Sequence, residues 1–233
     1  MKEKKRFLSG PVGSRVHPGR KLILLAFLGV MLTSTIHGEN LGMASYSFSG
    51  GMHLGGITKT EGLDAVSSAS RWQAHGGVHA EVEIAGQIFE TGLDYSYLKK
   101  ELTYKDTSKS ISGETAFAAH ALSLPLLYNL RFFNRPSGGA RLVLGLGLTA
   151  YYFPHQELEA TGTVPDSDSK NWALGPAVRL GWYPIELMGR YCIGPYAALF
   201  RSFNRFYDID FEGAESGELA IMELGINLKV RTR

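Results

Sequence analysis

Apolar and polar residues alternate almost without interruption over the last sixteen residues of the chain. Successive side chains of a β-strand point to opposite faces, so this segment would form a strand with two different faces. After Glu218, one face carries Ala220, Met222, Leu224, Ile226, Leu228 and Val230. The other face carries Leu219, Ile221, Glu223, Gly225, Asn227, Lys229 and Arg231. The pattern predicts a strand between an apolar environment and one that becomes polar and charged.

The same alternation recurs about eight times, and helical periodicity is absent after the first 38 residues. The predicted strands are Met43–Leu54, Trp72–Ile84, Gln87–Tyr104, Ala116–Phe132, Ala140–Phe153, Asn171–Tyr183, Gly189–Phe203 and the C-terminal strand. The fold class that follows is all-β, with eight antiparallel strands. A soluble sandwich would bury the apolar face, whereas an outer-membrane β-barrel would turn it to the lipid and keep the charges inside.

The N-terminus resembles an export signal, which favours the barrel. Seven basic residues precede the apolar run Leu22–Ile36. The run has fifteen residues, fewer than the roughly 20 that a membrane-spanning helix needs. We therefore expect residues 1–38 to be a cleaved signal peptide and residues 39–233 to be one barrel domain; a retained membrane anchor is the alternative.

The lengths of the connections separate the two architectures best. The long connections are Gly55–Arg71, Lys105–Thr115, Pro154–Lys170 and Asn204–Gly217, and the short ones are Ala85-Gly86, Phe133–Gly139 and Pro184–Met188. Long and short alternate through all seven, as in bacterial barrels with long extracellular loops and short periplasmic turns. The sequence thus predicts an eight-stranded transmembrane up-and-down barrel in the outer membrane of a Gram-negative bacterium.

Charge limits the range of partners. The whole chain has a net charge of +2, but residues 39–233 hold 17 basic and 21 acidic residues. This net charge of −4 gives no basic surface for nucleic acid. Cys192 is the single cysteine, so no internal disulfide can form. The expected partners are outer-membrane lipid and lipopolysaccharide, together with a protein of the envelope or of a secretion system.

The inward faces of the predicted strands carry charges of both signs. The acidic group is Glu81, Glu83, Glu90, Asp94 and Glu223, and the basic group is Arg131, Arg141, Arg179, Arg190, Lys229 and Arg231. An eight-stranded barrel is just wide enough for its side chains to fill, and poorly solvated charges must pair. We expect a structural salt-bridge network that plugs the lumen. A narrow ion path or a carboxylate site is the alternative.

Candidate catalytic and metal-binding residues are few. His120 and Ser123 would face opposite sides of one strand, and His75 and His79 would face the lumen beside Glu81. Solvated loops are the simpler interpretation of two groups that could bind cations: His155 with Glu157 and Glu159, and the acidic run Asp208, Asp210, Glu212 and Glu215. No nucleophile elbow, zinc-helix motif or phosphate loop occurs. We expect no enzymatic activity, no cofactor and no bound metal.

Four segments resemble the PorT-like outer-membrane β-barrel family typical of Bacteroidetes. They are His120-Ala-Leu-Ser-Leu-Pro-Leu-Leu-Tyr128, Gly189-Arg-Tyr-Cys-Ile-Gly194, Gly-Leu-Gly-Leu in the fifth predicted strand and Leu-Gly-Pro-Ala-Val-Arg-Leu-Gly in the sixth. The resemblance covers roughly residues 43–231 and implies an eight-stranded barrel, some relatives of which take part in secretion and gliding. The ending Val-Arg-Thr-Arg departs from the aromatic closure common in such barrels.

The sequence predicts location and architecture more specifically than activity. The expected function is a small outer-membrane barrel with a structural or interaction role in the envelope, and the family resemblance adds an accessory role in protein secretion. The alternative is a lipid-modifying enzyme or a narrow pore in the same membrane.

Overall fold

The computed structural model describes residues 42–58, 66–70, 72–106, 111–134, 140–163, 166–210 and 217–232. These residues form β1 (Gly42–Thr58), β2 (Val66–Ser70), β3 (Gln73–Ile84), β4 (Gln87–Asp106), β5 (Ile111–Asn134), β6 (Ala140–Thr163), β7 (Asp166–Ser169), β8 (Trp172–Trp182), β9 (Ile185–Leu187), β10 (Tyr191–Asp210) and β11 (Gly217–Arg231). The predicted signal peptide lies outside them. Within the described part of the chain, no helix is long and apolar enough to cross a membrane.

Eight long strands close into one antiparallel barrel. β1, β3, β4, β5, β6, β8, β10 and β11 pair with their neighbours in chain order. β11 then pairs with both β10 and β1, so that Leu228 faces Ile193 on one side and Phe48 on the other. Closure leaves none of these strands as a free edge within the ring. The predicted eight-stranded up-and-down barrel is therefore confirmed.

The exterior of the barrel is apolar and its interior is largely polar. Large apolar side chains stand exposed on the outer wall, among them Val78, Leu199 and Ile226, which is 63% exposed. Buried polar side chains lie inside; His53, Glu81 and Asn227 are each at most 2% exposed. This arrangement is the reverse of a water-soluble protein and matches a barrel whose outer wall faces lipid.

The strands continue past the ends that the sequence predicts, so the four long connections are only in part loops. They contain the end of β1 with β2, the facing ends of β4 and β5, the end of β6 with β7, and the end of β10. The ladder of β5 and β6, for example, runs up to the pair Ser112 and Thr163. Polar residues on both faces suggest loops, but backbone hydrogen bonds pair strands whatever their side chains are. The barrel strands therefore extend beyond the apolar band; β4 and β5 form a hairpin there, β2 pairs with β4, and β7 pairs with β10.

A β-bulge interrupts the pairing of β5 with β6. Leu122 pairs with Tyr152, but His120 pairs with His155, so β6 has one extra residue in between. Such a bulge shifts the alternation of inward and outward side chains on the longer strand. Beyond it, His155 and Glu157 are exposed on the wall beside His120.

The two ends of the barrel differ in their connections. The short-turn end carries the tight turns after β3 and β9 together with the first residue of β1 and the last of β11. Ala85 and Gly86 form the first of these turns with φ values of 51° and 77°. Two successive positive φ values are typical of a type I′ turn, whose twist suits a two-residue hairpin. The opposite end, which carries the long hairpins, is called the long-hairpin end.

Candidate functional site

The first group of interior side chains centres on Glu81 near the short-turn end. Its carboxylate accepts hydrogen bonds from Lys229 Nζ at 2.5 Å and Arg131 Nη2 at 2.8 Å. Ser45 Oγ and Asn129 Nδ2 donate to the same group at 2.5 and 2.8 Å. The Glu81 side chain is 2% exposed. Two bases and two neutral donors therefore compensate one deeply buried carboxylate.

The second group centres on Arg179 at the middle of the lumen. Arg179 Nη1 donates to Glu90 Oε1 at 2.5 Å, and its guanidinium carbon lies 4.7 Å from the centre of the Tyr196 ring. His79 lies between Glu90 and Asp94, with nitrogen-to-oxygen distances of 3.4 and 2.9 Å. Asn129 also donates to Glu90 at 3.0 Å and so joins this group to the first.

An apolar layer closes the lumen above the charges, towards the long-hairpin end. It consists of Tyr151, Phe153, Phe200, Phe206 and Phe117, all at most 6% exposed. The ring centroids of Phe153 and Phe206 are 4.7 Å apart, and those of Tyr151 and Phe200 are 4.6 Å apart. The alternation of apolar and polar residues did not predict this layer. One feature of the sequence could have predicted the layer. The inward face of β5 carries Phe117, Ala119 and Ala121 in succession, and none of them is charged.

A small cavity of about 30 Å³ lies between the charged groups and the apolar layer. Asp94, Arg179 and Glu223 line it from the polar side, and Phe200 and Ile221 line it from the apolar side. A cavity needs roughly 10–15 Å³ to hold one water molecule, so this one has room for about two. It is too small for a drug-sized ligand, which occupies a pocket of about 300 Å³ or more.

The structure brings most of the predicted lumen residues together. Glu81, Glu90, Asp94, Arg131, Arg179, Glu223 and Lys229 lie inside the barrel. Arg231 lies at the short-turn end and donates to Glu186 at 2.6 Å. Lys100, which is 6% exposed, and Glu186 are further charged residues of the interior that the alternation pattern did not single out.

Three predicted members of the network lie outside it. Glu83, Arg141 and Arg190 are exposed at the short-turn end. Glu83 precedes the Ala85-Gly86 turn by two residues, Arg141 is the second residue of β6, and Arg190 belongs to the turn before β10. At this rim the inward face of a strand opens to water, so alternation predicts the direction of a side chain but not its burial.

One buried contact resembles part of a hydrolase triad. Ser49 Oγ lies 3.0 Å from His79 Nε2, and His79 Nδ1 lies 3.4 Å from Glu90 Oε1. A nucleophile also needs space for a reacting carbonyl group. Ser49 is 8% exposed, and neither it nor His79 lines the small cavity. Glu90 also forms a salt bridge with Arg179. We therefore assign Ser49, His79 and Glu90 to the interior network and not to a catalytic site.

The other candidate residues occupy separate places. Ser123 is buried, and its Oγ lies 3.5 Å from Asp94 Oδ2. His120 faces outward, and its Nδ1 lies 2.6 Å from the Tyr95 hydroxyl. His155 Nε2 lies 3.2 Å from Glu157 Oε1. Among the described residues, no three His, Cys, Asp or Glu side chains are placed to enclose a metal ion.

The acidic run of the last long connection is described in part. Asp208 and Asp210 belong to β10, where their backbones pair with Asp168 and Asp166 of β7. Glu212 and Glu215 lie outside the described residues. The run therefore begins in a strand and not in the loop that the sequence predicts.

The family model of the outer membrane protein beta-barrel domain matches residues 34–204. No curated protein matches the sequence. The outer membrane protein OprG from Pseudomonas aeruginosa is similar in structure, with a TM-score of 0.47, 12% identity, and coverage of 82% of this chain and 97% of that chain.

Two other solved structures are similar at lower scores. The outer membrane protein AlkL has a TM-score of 0.39 and 14% identity, with 84% of this chain and 94% of that chain covered. The translocator domain of the autotransporter NalP from Neisseria meningitidis has a TM-score of 0.36 and 13% identity, with 92% and 98% covered.

Proposed function

We propose that this chain, which belongs to the outer membrane protein beta-barrel domain family, serves the outer membrane as a closed scaffold and not as a pore. It is a small β-barrel protein of the outer membrane of a Gram-negative bacterium. The observation that carries the proposal is the filled lumen, in which a charged network and an aromatic layer follow one another along the barrel axis.

The balance of charges in the lumen supports a closed barrel. Glu81 and Glu90 each accept a charged donor at 2.5 Å, so their charges are compensated by neighbours. A selective pore normally presents rings of one sign to the passing ion. Here an ion would have to displace paired charges and then cross the layer formed by Phe117, Phe153 and Phe206. Both steps oppose conduction.

The surfaces that remain available for function are the outer wall and the long hairpins. The wall exposes aliphatic and aromatic side chains to lipid, and we place the β4–β5 hairpin and the extended ends of β6 and β10 outside the cell. This placement follows the pattern of long extracellular and short periplasmic connections in bacterial barrels. Loops carried on a rigid scaffold are the usual sites of recognition. Lipopolysaccharide would contact the wall, and a protein partner of the envelope would bind the hairpins.

An accessory role in secretion is the finer form of this proposal. It rests on the resemblance of His120–Tyr128 and three shorter segments to PorT-like barrels. In the barrel, His120 and Leu124 of the first segment point outward, and Pro125 and Leu127 point inward. The segment therefore supplies both lipid-facing and lumen-facing positions of one strand.

An enzymatic role receives less support from the geometry. Lipid-modifying enzymes must bring a nucleophile and a base to the substrate together. His120 faces the membrane and Ser123 the lumen, and the contact of Ser49 with His79 lies in the closed interior. We therefore propose that the protein is not an enzyme.

Deletion of the gene tests the proposed role in the envelope. We expect increased entry of a membrane-impermeant dye, or the loss of particular exported proteins from the outer-membrane proteome. Expression of the wild-type chain should reverse either change. Dye entry would indicate a structural role, and selective protein loss a secretion role. An unchanged envelope with an altered lipid A mass spectrum would instead indicate the enzymatic alternative and would contradict the proposal.

A further inference from the structure

Two histidines on neighbouring strands of the lumen have incompletely hydrogen-bonded ring nitrogens. His53 lies on β1 and is 0% exposed, and His75 lies on β3 and is 7% exposed. Neither nitrogen of His53 nor Nδ1 of His75 makes a hydrogen bond of good geometry, although the Gln73 side chain and the Tyr97 backbone lie next to the His53 ring. A neutral imidazole carries one donor and one acceptor, and leaving such a group unsatisfied costs about 1–3 kcal/mol. Their placement calls for a ligand between or beside the rings.

A third polar group next to this pair is also incompletely compensated. Glu223 of β11 pairs in register with His53 of β1 and is 8% exposed. Tyr151 donates to its Oε1 at 3.1 Å. Among the described residues, no basic side chain forms an ion pair with Glu223, whereas Glu81 pairs with both Arg131 and Lys229, and Glu90 pairs with Arg179. A buried carboxylate without an ion-pair partner favours a bound cation.

The separation of the rings suits one metal ion. The ring centroids of His53 and His75 are 5.8 Å apart and the rings are inclined by 51°. A zinc ion about 2.1 Å from one nitrogen of each ring would hold the centroids roughly 5–6.5 Å apart. The centroid separation of the two rings is therefore compatible with a shared ion.

Tyr196 orients one of the two rings. Its hydroxyl is hydrogen-bonded to His75 Nε2. If Nε2 carries the proton and donates it to this hydroxyl, Nδ1 keeps its lone pair and has no other partner. Metal-binding histidines are commonly held in this way, with the distal nitrogen bonded to a neighbouring group. The same contact fixes the tautomer that could bind a metal.

We propose that His53 and His75 bind a divalent transition-metal ion inside the barrel, next to the carboxylate of Glu223. Imidazole nitrogens suit zinc, copper and nickel, and a carboxylate is a common third ligand. As the side chains stand, the site offers two imidazoles, and water or a rotated Glu223 side chain completes the coordination. The ion would neutralise the carboxylate and tie β1, β3 and β11 together, which is a structural role separate from the proposed envelope function.

Metal analysis of the intact protein tests this proposal. The protein is extracted from outer membranes in detergent, incubated with zinc chloride, freed of loose metal and analysed by mass spectrometry. We expect about one zinc per chain in the wild type and a loss of roughly tenfold or more in zinc affinity in H53Q/H75Q. The matched control is H120Q/H155Q, which changes the exposed pair on the outer wall, whose ring centroids are 6.0 Å apart. It should keep its zinc.

A spectroscopic measurement covers the case in which H53Q/H75Q does not fold, as judged by its heat-modifiable migration on a gel. The H120Q/H155Q protein, which lacks the exposed pair, should show hyperfine coupling to two imidazole nitrogens in its electron paramagnetic resonance spectrum when it is loaded with Cu²⁺. Absence of retained zinc in the wild type would overturn the proposal. Retention by H53Q/H75Q, loss of zinc in the H120Q/H155Q control, or coupling to fewer than two nitrogens would do the same.

Discussion

Replacement of Arg179 by methionine is expected to lower the free energy of unfolding by about 3–5 kcal/mol, the usual cost of removing one partner of a buried ion pair. The guanidinium of Arg179 lies 2.5 Å from Glu90 and beside His79. Without it, the closest polar neighbours of the Glu90 carboxylate are Asn129 and His79, in a water-poor lumen. Unfolding by guanidinium chloride in lipid vesicles, followed by tryptophan fluorescence and by gel migration, measures the change.

Two further variants isolate the role of the charge. R179M/E90Q should recover a large part of the lost stability, because it no longer leaves a buried carboxylate alone. R201M is the matched control, since Arg201 forms a pair of similar length, 2.6 Å, with Glu218 on the exposed wall. Such exposed pairs contribute about 1 kcal/mol or less. Equal losses in R179M and R201M would show that the interior network does not stabilise the barrel.

The apolar layer should matter as much as the charged network. Phe206→Ala is expected to lower the free energy of unfolding by about 3–5 kcal/mol, the range measured for large aromatic residues in cores. Phe206 is 0% exposed and packs against Phe117 and Phe153, with ring centroids 5.7 and 4.7 Å away. The same unfolding measurement in vesicles tests the expectation.

Phe203 of the same strand provides the control. It is 67% exposed on the outer wall, three residues before Phe206. Phe203→Ala removes an equal number of atoms but leaves no interior cavity, so we expect a loss of about 1 kcal/mol or less. A larger loss for Phe203→Ala than for Phe206→Ala would mean that contacts with lipid, and not interior packing, dominate at this level of the barrel.

Alternation along single strands was enough to predict which residues face the lipid and which the lumen. Ile226 and Leu224 face outward and Asn227 and Lys229 inward, as the pattern of the last strand indicates. The period of two is a property of one strand and needs no knowledge of its neighbours. The number of strands and their meander order follow from repeating this reading along the chain.

The partners of each lumen residue could not be predicted in the same way. Lys229 meets Glu81 across 148 residues, and Arg179 meets Glu90 across 89. These contacts depend on the stagger between strands, which sets how far each one is shifted along the barrel axis. Alternation carries no information about this stagger. The exposed positions of Glu83 and Arg190 have the same origin, since their height relative to the rim decides their burial.

The hydrophobic pattern also could not predict how far the strands continue beyond the apolar band. Glu157 and Glu159 lie in β6, although their surroundings in the sequence are polar on both faces. Beyond the lipid there is no apolar side to mark a strand, and only the backbone ladder continues. The bulge that aligns His155 with His120 adds a shift of one residue. The aromatic layer was not predicted because both faces of the strand are apolar there. Alternation can be recognised only where the two faces differ in polarity.

Electrical recording across planar lipid bilayers tests the central claim that the lumen is closed. Purified protein is incorporated, and its insertion is verified by recovery from the vesicles used for fusion and by its heat-modifiable migration. We expect no stable conductance steps above the leak of the bare membrane, because paired charges and the aromatic layer fill the lumen. Reproducible ion-selective steps in the wild-type protein that vanish in R179M would place an ion path through the network and would contradict this account.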